Sequence, residues 1–365
     1  MPDASDAPFD DVEIIKQRKK EGIEIPLQRN VQAKTASTYL EYVKLVHNAL
    51  PELDYDEIDT STTFLKKRFR APIIIDSMTG GTDEANIINS RLGELAEKYG
   101  FGMGVGSQRA GLKSEELAST YSIARKNAPN AFLIANIGGA QLAKGLEIDE
   151  AKRIVDMIRA NALVVHLNPL QELVQPEGEP RYRGVLAKIS ELVQAIDVPV
   201  IVKEVGAGIS KEVAIKLEIA KVSAINIAGA GGTSWAGVEK LRADSVKDEL
   251  KKHLGEVFWD WGIPTAASLI EVRRAIKLPI IASGGLRNGV EVAKCIALGA
   301  NMSAMAYPFL RTAAHSRESL FAFADTILAE LKSTMFLVGA KNISALASSR
   351  YILTGLLAHE VSTRT

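Results

Sequence analysis

Residues 278–308 read LPIIASGGLRNGVEVAKCIALGANMSAMAYP. A short apolar run, 279–282, stops at Ser283-Gly284-Gly285. Val292, Ala293, Ile296 and Ala297 then recur at helical spacing, and a second apolar run follows at 302–306. Strand, glycine-rich turn, amphipathic helix and strand make one βαβ unit, which implies a parallel sheet. The runs are continuously apolar rather than alternating, so the strands are buried on both faces.

Working outward, the same kind of run occurs at 72–76, 102–106, 132–137, 163–167, 200–204 and 224–228. Amphipathic stretches lie between them, such as Ile88, Leu92, Leu95, Ala96 and Tyr99 on one helical face. Eight units predict an α/β fold, a closed (β/α)8 TIM barrel of ~250 residues. The alternative, a doubly wound sheet, places a glycine-rich phosphate loop after its first strand. Here that strand continues as IIIDSMTGG, with no GxGxxG, and GVGSQRAG after the second lacks the spacing too.

Two regions are expected: residues 1–71 as an N-terminal arm and helical extension, and 72–365 as the barrel with a C-terminal helix. Residues 10–20 are dense in charge and read as a flexible arm. Residues 37–50 read as a helix capped by Ser37 or Thr38. In the long 229–278 connection, 238–254 reads as one charged helix ahead of an aromatic FWDW stretch. Residues 333–358 read as helical. The acidic N-terminus has no apolar core of a signal peptide, and no run approaches a membrane span. Formal net charge is zero, which argues against nucleic acid or an anionic membrane as partner. The single cysteine, Cys295, sits mid-helix and reads as core, so neither a disulfide framework nor a cysteine metal site is expected.

In such a barrel the carboxyl ends of the strands carry the chemistry. These ends turn polar: Asp76 to Thr79, Ser107-Gln108-Arg109, Asn136, His166, Asn168, Gln171 and Glu172, Lys203 and Glu204, Gly229 to Thr233, Ser283 to Arg287, and Ala306-Tyr307. The glycine-rich ends of the seventh and eighth strands read either as a phosphate cradle or as tight turns alone. Lys203, at a buried strand end, needs an anionic partner: Glu204 or another carboxylate, or a flavin or phosphate. His166 and Asn168 share a strand face and point to a site. Glu172 is a candidate oxygen ligand for a hard divalent cation, with phosphate completing its shell.

Taken together, DSMTGG (76–81), MGVGSQR (103–109), VHLNPLQELVQPEGEP (165–180), VPVIVKEVGAGIS (198–210), GAGGTSW (229–235), DWGIPTAASLIEVR (260–273) and SGGLRNG (283–289) resemble the type 2 isopentenyl diphosphate isomerases over nearly the whole chain. The resemblance implies an FMN-dependent barrel, commonly a homotetramer or homo-octamer, cytoplasmic, needing Mg²⁺ and reduced FMN with NADPH as reductant. It implies interconversion of isopentenyl and dimethylallyl diphosphate, a small-molecule substrate. Met78, Thr79, Ser107, Asn136, Lys203 and Thr233 are then expected at FMN, with Gly284, Gly285, Ala306 and Tyr307 around its phosphate. Arg18, Lys19, Ser107, Gln108, Arg109, His166 and Asn168 are expected at the substrate diphosphate. Gln171 is expected against the isoprene unit, and Glu172 at Mg²⁺.

Three positions depart from that family's pattern: Gly22 where RK-x-E-H has histidine, Asn226 where aspartate is common, and Ala228 where serine or glycine lies near the flavin. Neither a reactive cysteine nor paired carboxylates offers an acid–base group, so reduced FMN is expected in that role, with Gln171 and Lys203 as the catalytic side chains. The rival readings are an FMN oxidoreductase of the 2-hydroxyacid oxidase type, a dehydrogenase barrel with a loop cysteine, and a non-catalytic phosphate-binding barrel.

Overall fold

The protein, analysed as a computed structural model, is described over residues 12–363. The first and last residues of the sequence, including the start of the charged stretch at 10–20, lie outside the described residues. Among the described residues twelve strands form three sheets: β1 (Val43–Leu45), β2 (Thr62–Phe64), β3 (Lys67–Phe69), β4 (Ile73–Ile75), β5 (Gly102–Gly104), β6 (Phe132–Gly138), β7 (Ala162–Leu167), β8 (Val200–Glu204), β9 (Ala224–Asn226), β10 (Ile280–Ala282), β11 (Met302–Met305) and β12 (Tyr351–Leu353). Strands β4 to β11 pair in parallel, and β11 closes on β4 through Ser303–Ile73, Ala304–Ile74 and Met305–Ile75. The fold is the (β/α)8 barrel that the eight apolar runs predict.

Side chains alternate across each strand. One set packs outward against the helices, as Ile73, Ile75, Leu133, Val165 and Val202 do. The other fills the barrel: Ile74, Phe132, Ile134, Val164, Ile201, Ala224, Ile281 and Met302. The β2–β3 hairpin seals the amino-terminal end, where Phe64 and Phe69 join Phe132, with ring centroids 5.4–6.5 Å apart. That end is a packed apolar stopper, so a polar site is left to the other end.

Four local expectations are corrected. Within the charged stretch, Val12 onward is not a flexible arm but the start of helix α1 (Val12–Gln28), tied down by Lys16 to Glu116 at 2.9 Å. Residues 37–50 are not a helix: Tyr39 takes φ +60, a short 3-10 turn follows, and β1 pairs antiparallel with β12. That partner lies at the far end of the chain, out of reach of any local pattern. The stretch 238–254 is two helices, Trp235–Ser245 and Glu249–Val257, broken where Lys247 takes φ +60 and Asp248 accepts from the N–H of Lys251. Residues 333–358 hold the end of one helix, a short helix Ile343–Ala347, strand β12 and the start of Gly355–Thr363, with left-handed turns at Gly339 and Gly355. Among the described residues no helix is long and apolar enough to cross a membrane.

Candidate active site

The inward-facing positions of the barrel change character over one side-chain layer. Ile74, Ile134, Val164, Ile201, Ala224 and Ile281 are apolar. Two residues further toward the carboxyl ends, on the same faces, stand Asp76, Asn136, His166, Lys203, Asn226 and Ser283. All but Asn226 line a cavity in the barrel mouth, whose wall also carries Arg18, Lys19, Met78, Thr79, Ser107, Arg109, Asn168, Gln171, Glu172, Thr233, Gly284, Gly285, Ala306 and Tyr307.

The floor is a connected polar network. Lys203 Nζ lies 3.4 Å from Asp76 Oδ2 and donates to the Glu204 carbonyl at 2.8 Å. The carboxylate of Glu204 turns away and takes the N–H groups of Val205, Gly206 and Ala207 at 2.5–2.6 Å. Burial nevertheless pushes its pKa up to about 7. The carboxylate partner of Lys203 is therefore Asp76, not Glu204, and the ammonium still borders the cavity. Ser283 Oγ donates to Asn226 Oδ1 at 2.6 Å, and Asn226 Nδ2 faces both Asp76 oxygens at 3.4 Å. An aspartate at 226 would set a second carboxylate against Asp76; the amide leaves Asp76 to balance Lys203.

Asn136 Nδ2 donates to the Val105 carbonyl, so its Oδ1 accepts from His166 Nδ1 at 2.7 Å. Burial first, then Lys203 and Lys19, hold the imidazole down to about 3. His166 is neutral here, with Nε2 left as an acceptor. Gln108 is the expected site residue that the structure takes off the wall. It is fully buried, donates to the Ile154 carbonyl at 2.9 Å and accepts from the N–H of Asn136 at 3.0 Å. Its work is to hold Asn136, and through it His166.

One wall is cationic. Helix α1 presents Arg18 and Lys19, and the turn after β5 presents Arg109. Among the described residues none of the three makes an ion pair within 4 Å; Lys19 Nζ donates instead to the Ser107 carbonyl at 2.9 Å. Burial, then Arg18 and Arg109, bring Lys19 down to about 7. Three unpaired cations facing one cavity call for a polyanion. Below about pH 7 the ammonium is already charged; above it an arriving anion must bring a proton with it. Relative to Lys19→Arg, the affinity for inorganic diphosphate is therefore expected to fall as the pH rises through about 7. Equilibrium titration across that range checks it, and a constant ratio between the two proteins refutes it.

The short helix Pro169–Val174 borders the same cavity. Asn168 is fixed by Tyr182, whose hydroxyl donates to its Oδ1 at 2.8 Å. Glu172 Oε2 accepts from the N–H of Glu179 at 3.0 Å and Oε1 from Asn168 at 3.3 Å. Among the described residues no group of three or more His, Cys, Asp or Glu side chains is placed to hold a metal by itself. Glu172 fits Mg²⁺ only in the mode where one carboxylate and the ligand's phosphate oxygens share the ion. Gln171 Nε2 donates to Glu239 Oε1 at 2.8 Å, and Glu239 pairs at 2.8 Å with Arg242, which also binds Glu177 and Glu21. Sequence reasoning missed this network, and it named Arg287 at the end of the seventh strand without giving it a role. The available signal was Glu239 and Arg242 at a spacing of three on one helical face in the long sixth connection.

The last quadrant joins the loops after β9, β10 and β11. Gly284 takes φ +99, and a side chain there would strike the Gly229 backbone; Gly285 takes φ +78 against Thr38. Loop packing alone therefore demands these glycines. The anion-binding features are separate: the helix Tyr307–His315 starts at Ala306 with no side-chain cap, and Arg287 borders the same space. Across the cavity wall, Thr79 Oγ1 is buried with no hydrogen-bond partner. An orphaned hydroxyl, an uncapped helix start, a guanidinium and the Lys203 ammonium are a donor set that fits FMN.

Fold and site define the FMN-dependent class of (β/α)8 barrels, and residues 140–353 match the family model described as FMN-dependent dehydrogenase. Within that class the chain belongs to the isopentenyl-diphosphate delta-isomerase family. It is 47% identical to the enzyme of that name from Nostoc sp. over 92% of this chain and 95% of the relative. Against the Methanosarcina mazei protein it is 46% identical over 93% and 92%, and against that of Archaeoglobus fulgidus 47% over 93% and 96%. Among solved structures, a Pediococcus acidilactici putative lactate oxidase superimposes with a TM-score of 0.64 at 14% identity, covering 94% of each chain. A mandelate oxidase variant with an FMN adduct gives 0.61 at 15%, covering 94% of this chain and 99% of its own. Those two likenesses concern the fold alone, so the 2-hydroxyacid oxidase reading is not favoured.

Proposed function

We propose that this protein interconverts isopentenyl and dimethylallyl diphosphate in its barrel mouth, with FMN as cofactor. The observation that carries the reading is the unpaired trio Arg18, Lys19 and Arg109 on the same cavity as Lys203 and the donor set that fits FMN. The trio binds the diphosphate, helped by Ser107, His166 and Asn168. An approaching polyanion favours the proton that His166 Nε2 needs in order to donate. Glu172 and the phosphate oxygens hold Mg²⁺ between them. Anchoring the diphosphate fixes where the isoprene unit lies, against Gln171, whose amide Glu239 keeps oriented. Met78, Thr79, Ser107, Asn136, Lys203 and Thr233 hold FMN, with Gly284, Gly285, Ala306 and Tyr307 around its phosphate. Bound in the reduced state, FMN supplies the acid–base group that the side chains lack, with NADPH as the reductant. The enzyme works in the cytoplasm as a homotetramer or homo-octamer.

The test is an anaerobic assay with isopentenyl diphosphate, Mg²⁺ and pre-reduced FMN, scoring dimethylallyl diphosphate. Many turnovers per flavin with no net flavin oxidation are expected. One NADPH consumed per product would refute the redox-neutral reaction. Glu172→Gln is expected to weaken Mg²⁺ activation by at least about tenfold while FMN stays bound. Loss of FMN from that variant would mean that Glu172 belongs to the cofactor site.

A further inference from the structure

Gln32 lies ahead of the barrel, in a segment without a catalytic motif, yet its side chain spans two loops of the mouth. Its amide oxygen accepts from Arg287 Nη2 at 2.6 Å, and its amide nitrogen donates to Thr233 Oγ1 at 3.2 Å. Its backbone is held as firmly. Gln32 forms an isolated antiparallel bridge with Thr233, and its carbonyl accepts from Trp259 Nε1 at 3.0 Å. Beside it, Ala33 donates to the Gly232 carbonyl and Val31 accepts from Ser234. Asp260 clamps the next turn through the N–H groups of Lys34 and Thr35 at 2.9 and 2.7 Å.

Arg287 is the unusual partner. Its other terminal nitrogen donates to the Leu286 carbonyl at 3.1 Å, and its guanidinium lies 5.3 Å from the Tyr307 ring centroid. Among the described residues it has no ion pair within 4 Å; the carboxylate of nearby Glu291 accepts the backbone N–H of Arg287 instead. A carboxylate at position 32 would match a guanidinium better than an amide does. An amide holds the guanidinium in place without neutralising it.

We propose that Gln32 is a positioning residue for the anionic end of FMN. It aims Arg287 and Thr233 into the quadrant of Gly284, Gly285 and Tyr307, and it stays neutral so that the guanidinium's charge is kept for the phosphate. This rests on the reading that FMN phosphate occupies that quadrant.

The experiment compares FMN and riboflavin, which lacks the phosphate, by flavin fluorescence on the full-length enzyme, its Gln32→Glu and Gln32→Ala variants, and Arg287→Ala. Gln32→Glu is expected to weaken FMN by about tenfold or more while riboflavin binding and melting temperature hold, because the new carboxylate pairs with Arg287 without loosening the strap. Gln32→Ala is expected to weaken FMN as well. If Arg287→Ala loses FMN affinity but Gln32→Glu keeps it, Gln32 merely ties down the strap and the proposal falls. If neither variant distinguishes FMN from riboflavin, the phosphate lies elsewhere and the reading of the quadrant falls with it.

Discussion

Replacing Lys203 with methionine is expected to lower turnover by roughly 100- to 1,000-fold, the usual cost of removing one preorganised charge from a reacting centre. The ammonium borders the cavity on the polar floor of the barrel, in register with His166 on β7 and Asn226 on β9. On the proposed reading it is the charge that would stabilise the negative ring of a reduced flavin. The substitution also strands Asp76, 6% exposed and 3.4 Å away. Breaking a buried pair from one side costs about 3–5 kcal/mol, so the melting temperature falls too. The double variant Lys203→Met with Asp76→Asn separates the two effects. Removing the orphaned carboxylate restores stability, since the amide of Asn226 then meets another amide. Turnover stays low, because the positive charge is still missing. Kinetics and thermal denaturation on the same preparations decide the matter. If turnover recovers along with stability, Lys203 serves the fold rather than the reaction.

The second large effect is expected from Arg242→Met. Arg242 is the hub of three carboxylates: Glu21 at 2.7 Å, Glu177 at 2.5 Å and Glu239 at 2.8 Å. Burial works against its charge, but Glu239 and Glu177 outweigh that and raise its pKa. Without it, Glu239, only 2% exposed, loses the cation it pairs with. Burial already raises the Glu239 pKa, against the opposing pull of Arg242. Once the cation is gone, that opposing pull is lost and the Glu239 pKa rises further. The expected loss is about 3–5 kcal/mol, or roughly 5 °C for a chain of this size. The stability deficit should shrink as the pH is lowered, because protonation relieves the carboxylates. Activity should fall further than stability explains, since Glu239 orients Gln171 and Glu21 ties α1, with Arg18 and Lys19, to the helix Trp235–Ser245. Melting curves across pH check the first claim. A deficit that does not change with pH would show that the carboxylates stay ionised and solvated.

Much of this was legible in the sequence, for a local reason. Each barrel strand is a short apolar run ending in polar residues, and each helix repeats every three or four positions, so the eight-fold alternation could be counted without knowing any contact. The same period-two logic places Asp76, Asn136, His166, Lys203 and Ser283 together, because a barrel aligns equivalent ends of its strands. The long match through HLNPLQELVQPEGEP likewise lies within one continuous stretch.

What the sequence could not reveal depends on partners far apart in the chain. β1 became a strand because β12 lies beside it. Lys203 could have met Glu204, its neighbour, but the strand alternation turned Glu204 toward its own following N–H groups and brought in Asp76. Gln108 sits inside a site motif yet points into the core, because the turn after β5 directs it at Asn136. Glu239, Arg242 and Gln32 carry no motif at all, and Arg287, although inside SGGLRNG, shows its partner Gln32 only in three dimensions. Sequence by itself determined the barrel, the polar mouth and the residue types gathered there, since these follow from local periodicity. The pairing of each charge, and with it the neutral His166 and the lowered Lys19, was decided only by the tertiary structure, because burial and Coulomb interactions depend on distance in space rather than along the chain.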